Sequence, residues 1–108
     1  MHALSLLPRY EALLSGLRSA VHELPAGVLY GADGANMKEC GELMEDLAEF
    51  ERLCGELNRK HSALIEGCRW HFEHYPHYLG RRRHFASYQQ YIEGRGGPLH
   101  INEPRDEL

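Results

Sequence analysis

The tetrapeptide Cys-Gly-Glu-Leu occurs twice in this chain, beginning at Cys40 and again at Cys54. The two copies are fourteen residues apart, which is two heptads, and they lie within one apolar stripe whose steps alternate between three and four. Steps of this kind place side chains on one face of a helix, and that face must be buried against another surface. The stripe contains Cys40, Leu43, Leu47, Phe50, Cys54, Leu57, His61 and Leu64.

The apolar composition predicts an all-α fold. Threonine is absent, and Val and Ile together number five in a chain of 108 residues. Strands favour β-branched residues, so a substantial sheet is not expected. The length suffices for one small core. We therefore predict a single helical domain over residues 1–94 and an extended or disordered tail over residues 95–108, which is rich in glycine and proline.

The second of three predicted helices is unusually long. The stripe and the next proline, Pro76, predict one helix over residues 37–75, with Gly55 and Gly67 as alternative points at which it breaks. At about 1.5 Å per residue this helix would be nearly 60 Å long. A first helix over residues 8–23 opens at a proline, and a short third helix spans residues 82–93.

The long helix also predicts self-association. The first helix can cover only half of it, so the third helix or a second copy of the chain must cover the remaining apolar face. We favour a helical hairpin that forms a homo-oligomer through the stripe. His61, a polar residue in this seam, then fixes the register of the pairing.

The segment 69–91 interleaves aromatic side chains with arginine and histidine. Residues 67–95 carry a net charge of +3, whereas residues 1–66 carry −5. Flat rings stack on bases and guanidinium groups pair with phosphates or carboxylates, so a nucleic acid, a nucleotide or an acidic protein could bind here. The predicted partner-binding residues are Arg81, Arg82 and Arg83, with Trp70 and Tyr78 as aromatic anchors.

Three arginines at the start of the third helix would oppose its dipole, which favours negative charge at an N-terminus. Some anionic group is therefore expected beside them. It could be the carbonyl end of the long helix, a carboxylate of this chain or of a second copy, or an external anion. The acidic residues over 39–51 form a second possible docking face.

A metal site is an alternative function for the same region. Cys68, His71 and His74 are spaced by three residues, with His77 three residues further on. Positions three apart share a helical face, and thiolate and imidazole are ligands for zinc, nickel or copper. No Cys-x-x-Cys or His-Glu-x-x-His pattern supports the site, so we predict no metal and no cofactor.

The remaining signals favour binding without turnover. The cysteines occupy core positions, where they behave as small hydrophobes, and their odd number is typical of a reducing compartment. No apolar run is long enough to span a membrane, and a cytoplasmic location is expected. We therefore predict a small interaction module of the adaptor, regulator or inhibitor type, without enzymatic activity.

Overall fold

The fold is built from helices. The computed structural model describes the backbone of residues 3–23 and 33–97 and the side chains of residues 5–22 and 39–97. These ranges contain no strand, and the all-α prediction is confirmed. Within the described ranges lie four α-helices, α1 (Ala3–Glu23), α2 (Asp33–Leu57), α3 (Ser62–Gly80) and α4 (Tyr88–Arg95), and one 3₁₀ turn at Arg82–His84.

One core receives side chains from all four helices. Helices α2 and α3 pack against each other, α1 lies against both, and α4 packs on α3. Each leucine or phenylalanine buried in this way contributes about 1.5–3 kcal/mol. The core side chains include Tyr10, Leu13, Leu17 and Val21 of α1, Leu47, Phe50 and Leu53 of α2, Leu64, Phe72 and Leu79 of α3, and Tyr88, Tyr91 and Ile92 of α4.

Of the predicted alternatives for residues 37–75, the structure agrees with a break near Gly55: α2 ends at Leu57, and α3 continues through Gly67. A single continuous helix over 37–75 is wrong, because the chain reverses after Leu57. Asn58 adopts a left-handed conformation with φ of 58°, which asparagine tolerates better than most residues. Its N–H donates to the carbonyl of Gly55, and the N–H of Arg59 donates to the carbonyl of Cys54. These two bonds form a Schellman motif, which terminates α2. The longest dimension of the structure is therefore only 49 Å.

The reversal folds the apolar stripe onto itself. Its α2 part faces its α3 part, and most of the predicted seam lies inside one chain rather than between two copies. Leu43 and Leu57 are the half-buried members. The stripe accordingly needs no second copy to cover it. The buried members are Cys40, Leu47, Phe50, Cys54, His61 and Leu64.

Two prolines lie inside helices that we predicted them to delimit. Helix α1 begins at Ala3 instead of residue 8, and α3 continues past Pro76 to Gly80. A proline removes the bond that its own N–H would donate four residues back, and its ring crowds the carbonyl of that residue. Packing of the flanking side chains compensates: Leu6 and Leu7 pack on the core before Pro8, and Leu79 is buried after Pro76.

The predicted third helix over residues 82–93 is also corrected. The chain makes the 3₁₀ turn at Arg82–His84, and α4 begins six residues later than predicted. Ser87 is the N-cap of α4: its Oγ accepts from the N–H of Gln90 at 3.2 Å. The helix ends at Gly96 in a left-handed conformation. Of the predicted tail, residues 98–108 lie outside the described residues.

Candidate functional site

The connection between α3 and α4 exposes four consecutive side chains, three arginines and one histidine. We call these residues, Arg81, Arg82, Arg83 and His84, the basic corner. Its backbone is fixed by hydrogen bonds. The N–H of Arg81 donates to the carbonyl of Tyr78 at 2.9 Å, and the N–H of His84 donates to the carbonyl of Arg81 at 2.9 Å. The corner is therefore a defined turn that holds its charges at one end of α3.

This position corrects the predicted relation to a helix dipole. The arginines follow the C-terminus of α3 and precede the first residue of α4 by five or more positions. Cations are favourable at a helix C-terminus, where the carbonyl groups carry partial negative charge. No opposing dipole has to be offset, so the arginines can be held there without an anion bound beside them.

The aromatic side chains that precede and follow the corner in the sequence pack against tyrosines of α4. Tyr78, the last aromatic residue of α3, has its ring centroid 5.3 Å from that of Tyr88 and 5.8 Å from that of Tyr91. Phe85, which follows the corner, meets Tyr91 edge-on at 5.2 Å. Tilted and edge-to-face pairs at such distances are favourable beyond their buried area. The cluster ties both ends of the corner to α4.

Some arginines outside the corner form ion pairs with carboxylates of neighbouring helices. Arg9 bonds to Glu49 at 2.7 Å, and Arg69 bonds to Glu51 at 2.5 Å. The hydrogen bond from Arg9 lowers the pKa of the Glu49 carboxyl. Within residues 5–22 and 39–97, by contrast, the guanidinium groups of Arg81 and Arg83 form no ion pair. These two side chains can bind an external carboxylate or phosphate.

Of the two predicted aromatic anchors, only Tyr78 lies at the corner. Trp70 is eleven residues before Arg81 on α3, about 16 Å along the helix. Its ring stacks on His74 at 3.9 Å between centroids. The backbone at Gly97 also approaches it, since a Cβ built there would lie 2.4 Å from two ring carbons of Trp70. Trp70 therefore anchors the chain after α4 and does not join the arginines.

The aromatic side chains of segment 69–91 mostly close the core. Phe72, Tyr75, Tyr88 and Tyr91 are buried, and the half-buried rings are those of Trp70, Tyr78 and Phe85. Stacking on a nucleobase needs an open ring face. This packing therefore favours a structural role for most of these rings over the predicted nucleic-acid platform.

The four residues of the alternative metal site do not converge. Cys68 is buried in the core, and Nδ1 of His71 is hydrogen-bonded to the hydroxyl of Tyr88 at 2.7 Å. Nδ1 of His74 bonds to the carbonyl of Trp70 at 2.8 Å, and His77 is exposed. Among the described side chains, no three of the types His, Cys, Asp and Glu come together to hold a metal ion.

The cysteines are also poor nucleophiles. All three are buried and free of disulfides, as their core positions predicted. Burial raises the pKa of the Cys40 thiol to about 11 and that of the Cys54 thiol to about 11. Both remain protonated at neutral pH, where the thiolate is the reactive form.

The predicted acidic face over 39–51 divides into two parts. Asp46 and Glu49 face Arg9 of α1, and Glu51 pairs with Arg69 of α3, so these carboxylates join helices. Glu39, Glu42 and Glu45 are exposed. Only this second group is available to a partner.

Sequence reasoning missed the residues that set the position of the corner. Ser87 caps α4 by accepting from the N–H of Gln90, and Oε1 of Gln90 accepts at 2.6 Å from the N–H of Ala86, the residue before the N-cap. The spacing Ser-x-x-Gln is a capping-box signature and could have marked this start. The bond between His71 and Tyr88 had no comparable local signal, since it joins residues of different helices.

No helix in residues 3–23 or 33–97 has the length and apolar character needed to cross a membrane. Comparison with protein-family models, with curated protein sequences and with solved structures found no match to this chain.

Proposed function

We propose that this protein acts by binding, as a small helical interaction module that docks an acidic surface of another protein on its basic corner. The proposal rests on the exposure and the charge pairing of Arg81 and Arg83. Both are exposed on a hydrogen-bonded turn, and neither has an ion-pair partner in the described part of the chain. Arginine is enriched at protein interfaces, where its planar group pairs with carboxylates in two parallel bonds.

The surroundings of the corner support a protein partner. The half-buried rings of Tyr78 and Phe85 flank the four residues and offer apolar contact beside the charges. A mixed aromatic and arginine surface is typical of the centre of a protein interface. A nucleic acid would instead need several open rings or a longer basic track, and the chain as a whole carries a net charge of −4. Self-association through the apolar stripe is not part of the proposal, because that stripe lies mostly within the core.

Charge reversal tests the proposal. We expect a fluorescein-labelled peptide rich in Glu, Asp and Leu to bind the full chain, with fluorescence anisotropy as the measure. The double variant Arg81→Glu/Arg83→Glu should weaken this binding at least about tenfold, equal to about 1.4 kcal/mol. The matched control is Arg52→Glu/Lys60→Glu, which changes the net charge equally at two exposed side chains away from the corner. It should bind within about twofold of wild type, since surface ion pairs contribute little.

Two further measurements test how the partner's carboxylates are bound and whether the partner is a protein or a nucleic acid. The variant Arg81→Lys/Arg83→Lys keeps the charge but loses the planar donor pairs, and it should bind more weakly than wild type if the partner's carboxylates are held bidentately. A labelled single-stranded oligonucleotide should bind less tightly than the peptide. Tighter binding of the oligonucleotide, or equal peptide affinity in wild type and the charge-reversed variant, would contradict the proposal.

A further inference from the structure

His74 and His77 lie three residues apart on α3, where His74 is half-buried and His77 is exposed. Positions three apart share a helical face, and the centroids of the two rings are 6.4 Å apart. We propose that these two imidazoles bind one divalent transition-metal ion of the zinc and copper class, with water as the remaining ligands. The proposal is independent of the partner-binding function, because neither ring belongs to the basic corner.

The hydrogen bond of His74 fixes which of its two nitrogens can bind a metal. Nδ1 lies 2.8 Å from the backbone carbonyl oxygen of Trp70. A carbonyl oxygen can only accept, so Nδ1 carries the hydrogen, and in the neutral ring Nε2 keeps its lone pair. Histidines that bind metals commonly have this arrangement, in which the bond from the other nitrogen orients the ring and makes it a better ligand.

The ring of His74 is also held in place. It stacks on the ring of Trp70, with centroids 3.9 Å apart and planes inclined by 8°. The backbone at Gly97 covers the Trp70 ring in turn. Among the described residues, Nε2 of His74 has no hydrogen-bond partner, and it is not one of the polar atoms enclosed by the protein. His74 is therefore a positioned ligand whose lone pair is open to an ion.

His77 provides the second ligand. Its ring is exposed and inclined by 53° to that of His74. Because no packing opposes rotation of an exposed side chain, it can bring a ring nitrogen to about 2.0–2.1 Å from an ion on His74, the usual zinc–nitrogen distance. Ligands three residues apart on one helix bind the same metal centre in four-helix bundles.

The donor atoms select the class of ion. Neutral imidazole suits zinc, nickel and copper, with copper bound most tightly, whereas magnesium and calcium need oxygen ligands. Cys68 and His71 of the larger predicted set are buried in the core. No three potential ligands converge among the described side chains, so the ion keeps several waters. The site is therefore suited to an exchangeable ion.

The pair spans the proline inside α3. Pro76 lies between the two histidines and has no N–H to donate to the carbonyl of Phe72. An ion bound to both imidazoles links residues on either side of Pro76 and favours the helical conformation in which they share a face. Such an ion binds the folded chain better than the unfolded one, so it stabilises the fold.

Titration of the untagged full chain with copper(II) chloride, followed by the fluorescence of Trp70, tests the proposal. Trp70 is the single tryptophan of the chain, and its ring stacks on His74, so a copper ion on that imidazole quenches its emission. The variant His77→Gln should weaken this binding at least about tenfold, because one of two ligands is lost. The matched control His22→Gln/His84→Gln removes two exposed histidines elsewhere and should bind like wild type.

Zinc provides a second measurement that does not depend on quenching. At free zinc about ten times above the dissociation constant, the folding constant of wild type should rise about tenfold in urea unfolding. The same zinc concentration should leave His77→Gln unchanged, and magnesium should have no effect on wild type. In NMR spectra, the ring resonances of His74 and His77 should shift together on addition of zinc.

Equal copper affinity in wild type and His77→Gln would overturn the proposal. So would zinc-dependent shifts at other histidines while the resonances of His74 and His77 stay unchanged. Neither result bears on peptide binding by the basic corner, which is measured separately.

Discussion

Nδ1 of His71 on α3 lies 2.7 Å from the hydroxyl oxygen of Tyr88 on α4, and both side chains are buried. Burial raises the pKa of the Tyr88 phenol, which therefore stays neutral over the whole physiological range. The bond attaches α4 to the middle of α3. It joins the two helices between which the basic corner lies.

Removing the Tyr88 hydroxyl should weaken this attachment. We expect Tyr88→Phe to lower the free energy of unfolding by about 1–3 kcal/mol, because Nδ1 of His71 loses this partner inside the core. Urea unfolding followed by circular dichroism measures the change. Tyr78→Phe, which changes a half-buried tyrosine of the same cluster, should alter stability by less than about 0.5 kcal/mol. Equal effects of the two changes would argue against a structural role for the bond.

Gly97 and Gly94 should respond oppositely to the same substitution. A Cβ at Gly97 would overlap the ring of Trp70, whereas a Cβ at Gly94 meets no atom within 4 Å. Gly97→Ala should therefore destabilise the protein by about 1–3 kcal/mol through overpacking. Gly94→Ala should stabilise it by about 0.5–1 kcal/mol, because alanine favours the interior of α4.

Tryptophan fluorescence gives a local measure of the same contact. Trp70 is the single tryptophan of the chain. We expect its emission to shift to longer wavelength in Gly97→Ala, since the ring loses a covering contact, and to be unchanged in Gly94→Ala. An unshifted spectrum in both variants would mean that the backbone at Gly97 does not cover this ring.

The left-handed residue that ends α2 gives a further test. Asn58→Ala should lower the free energy of unfolding by about 1–2 kcal/mol. Alanine has the same crowded Cβ as asparagine in this conformation, but it lacks the polar side chain that can offset the crowding with a local hydrogen bond. Asn58→Gly should be as stable as wild type or more stable, since glycine is the preferred residue at this position of a Schellman motif. Thermal unfolding of the two variants compares them directly. If alanine were as stable as glycine here, α2 and α3 would have to be joined in some other way.

The buried thiols predict a loss of stability in alkaline solution. Burial raises the pKa of Cys40 from 9.0 to about 11, so the unfolded chain releases this proton at a lower pH than the folded chain does. Between these two values the folded state binds more protons, and stability must fall as pH rises. Cys54 acts in the same direction. Urea unfolding across this range should show the decline, and Cys40→Ala should reduce it.

Alkylation provides a second test of the burial of the cysteine thiols. At about pH 8 iodoacetamide should modify the folded protein slowly, because the thiolate is scarce and the sulfur atoms are covered. The urea-unfolded chain should react rapidly at all three cysteines. Rapid modification of Cys40 in the folded protein would contradict its place in the core.

The sequence by itself determined the fold class and the identity of the core face. The apolar spacing of three and four residues survives as the buried face of α2 and α3, and the scarcity of β-branched residues excluded a substantial sheet. The exposure of Arg81, Arg82 and Arg83 could also be expected from their charge. These features follow from local periodicity and from the favourable hydration of charged groups. Neither effect depends on which other part of the chain lies nearby.

Only the tertiary structure decided that the stripe closes on itself. An isolated helical pattern is equally satisfied by a second copy of the chain or by a reversal, and Asn58 gives no stronger local signal than Gly55 or Gly67. The same holds for the pairing of His71 with Tyr88 and for the separation of Trp70 from the arginines. These relations depend on contacts between residues far apart in the chain, and side-chain spacing within one helix carries no information about them.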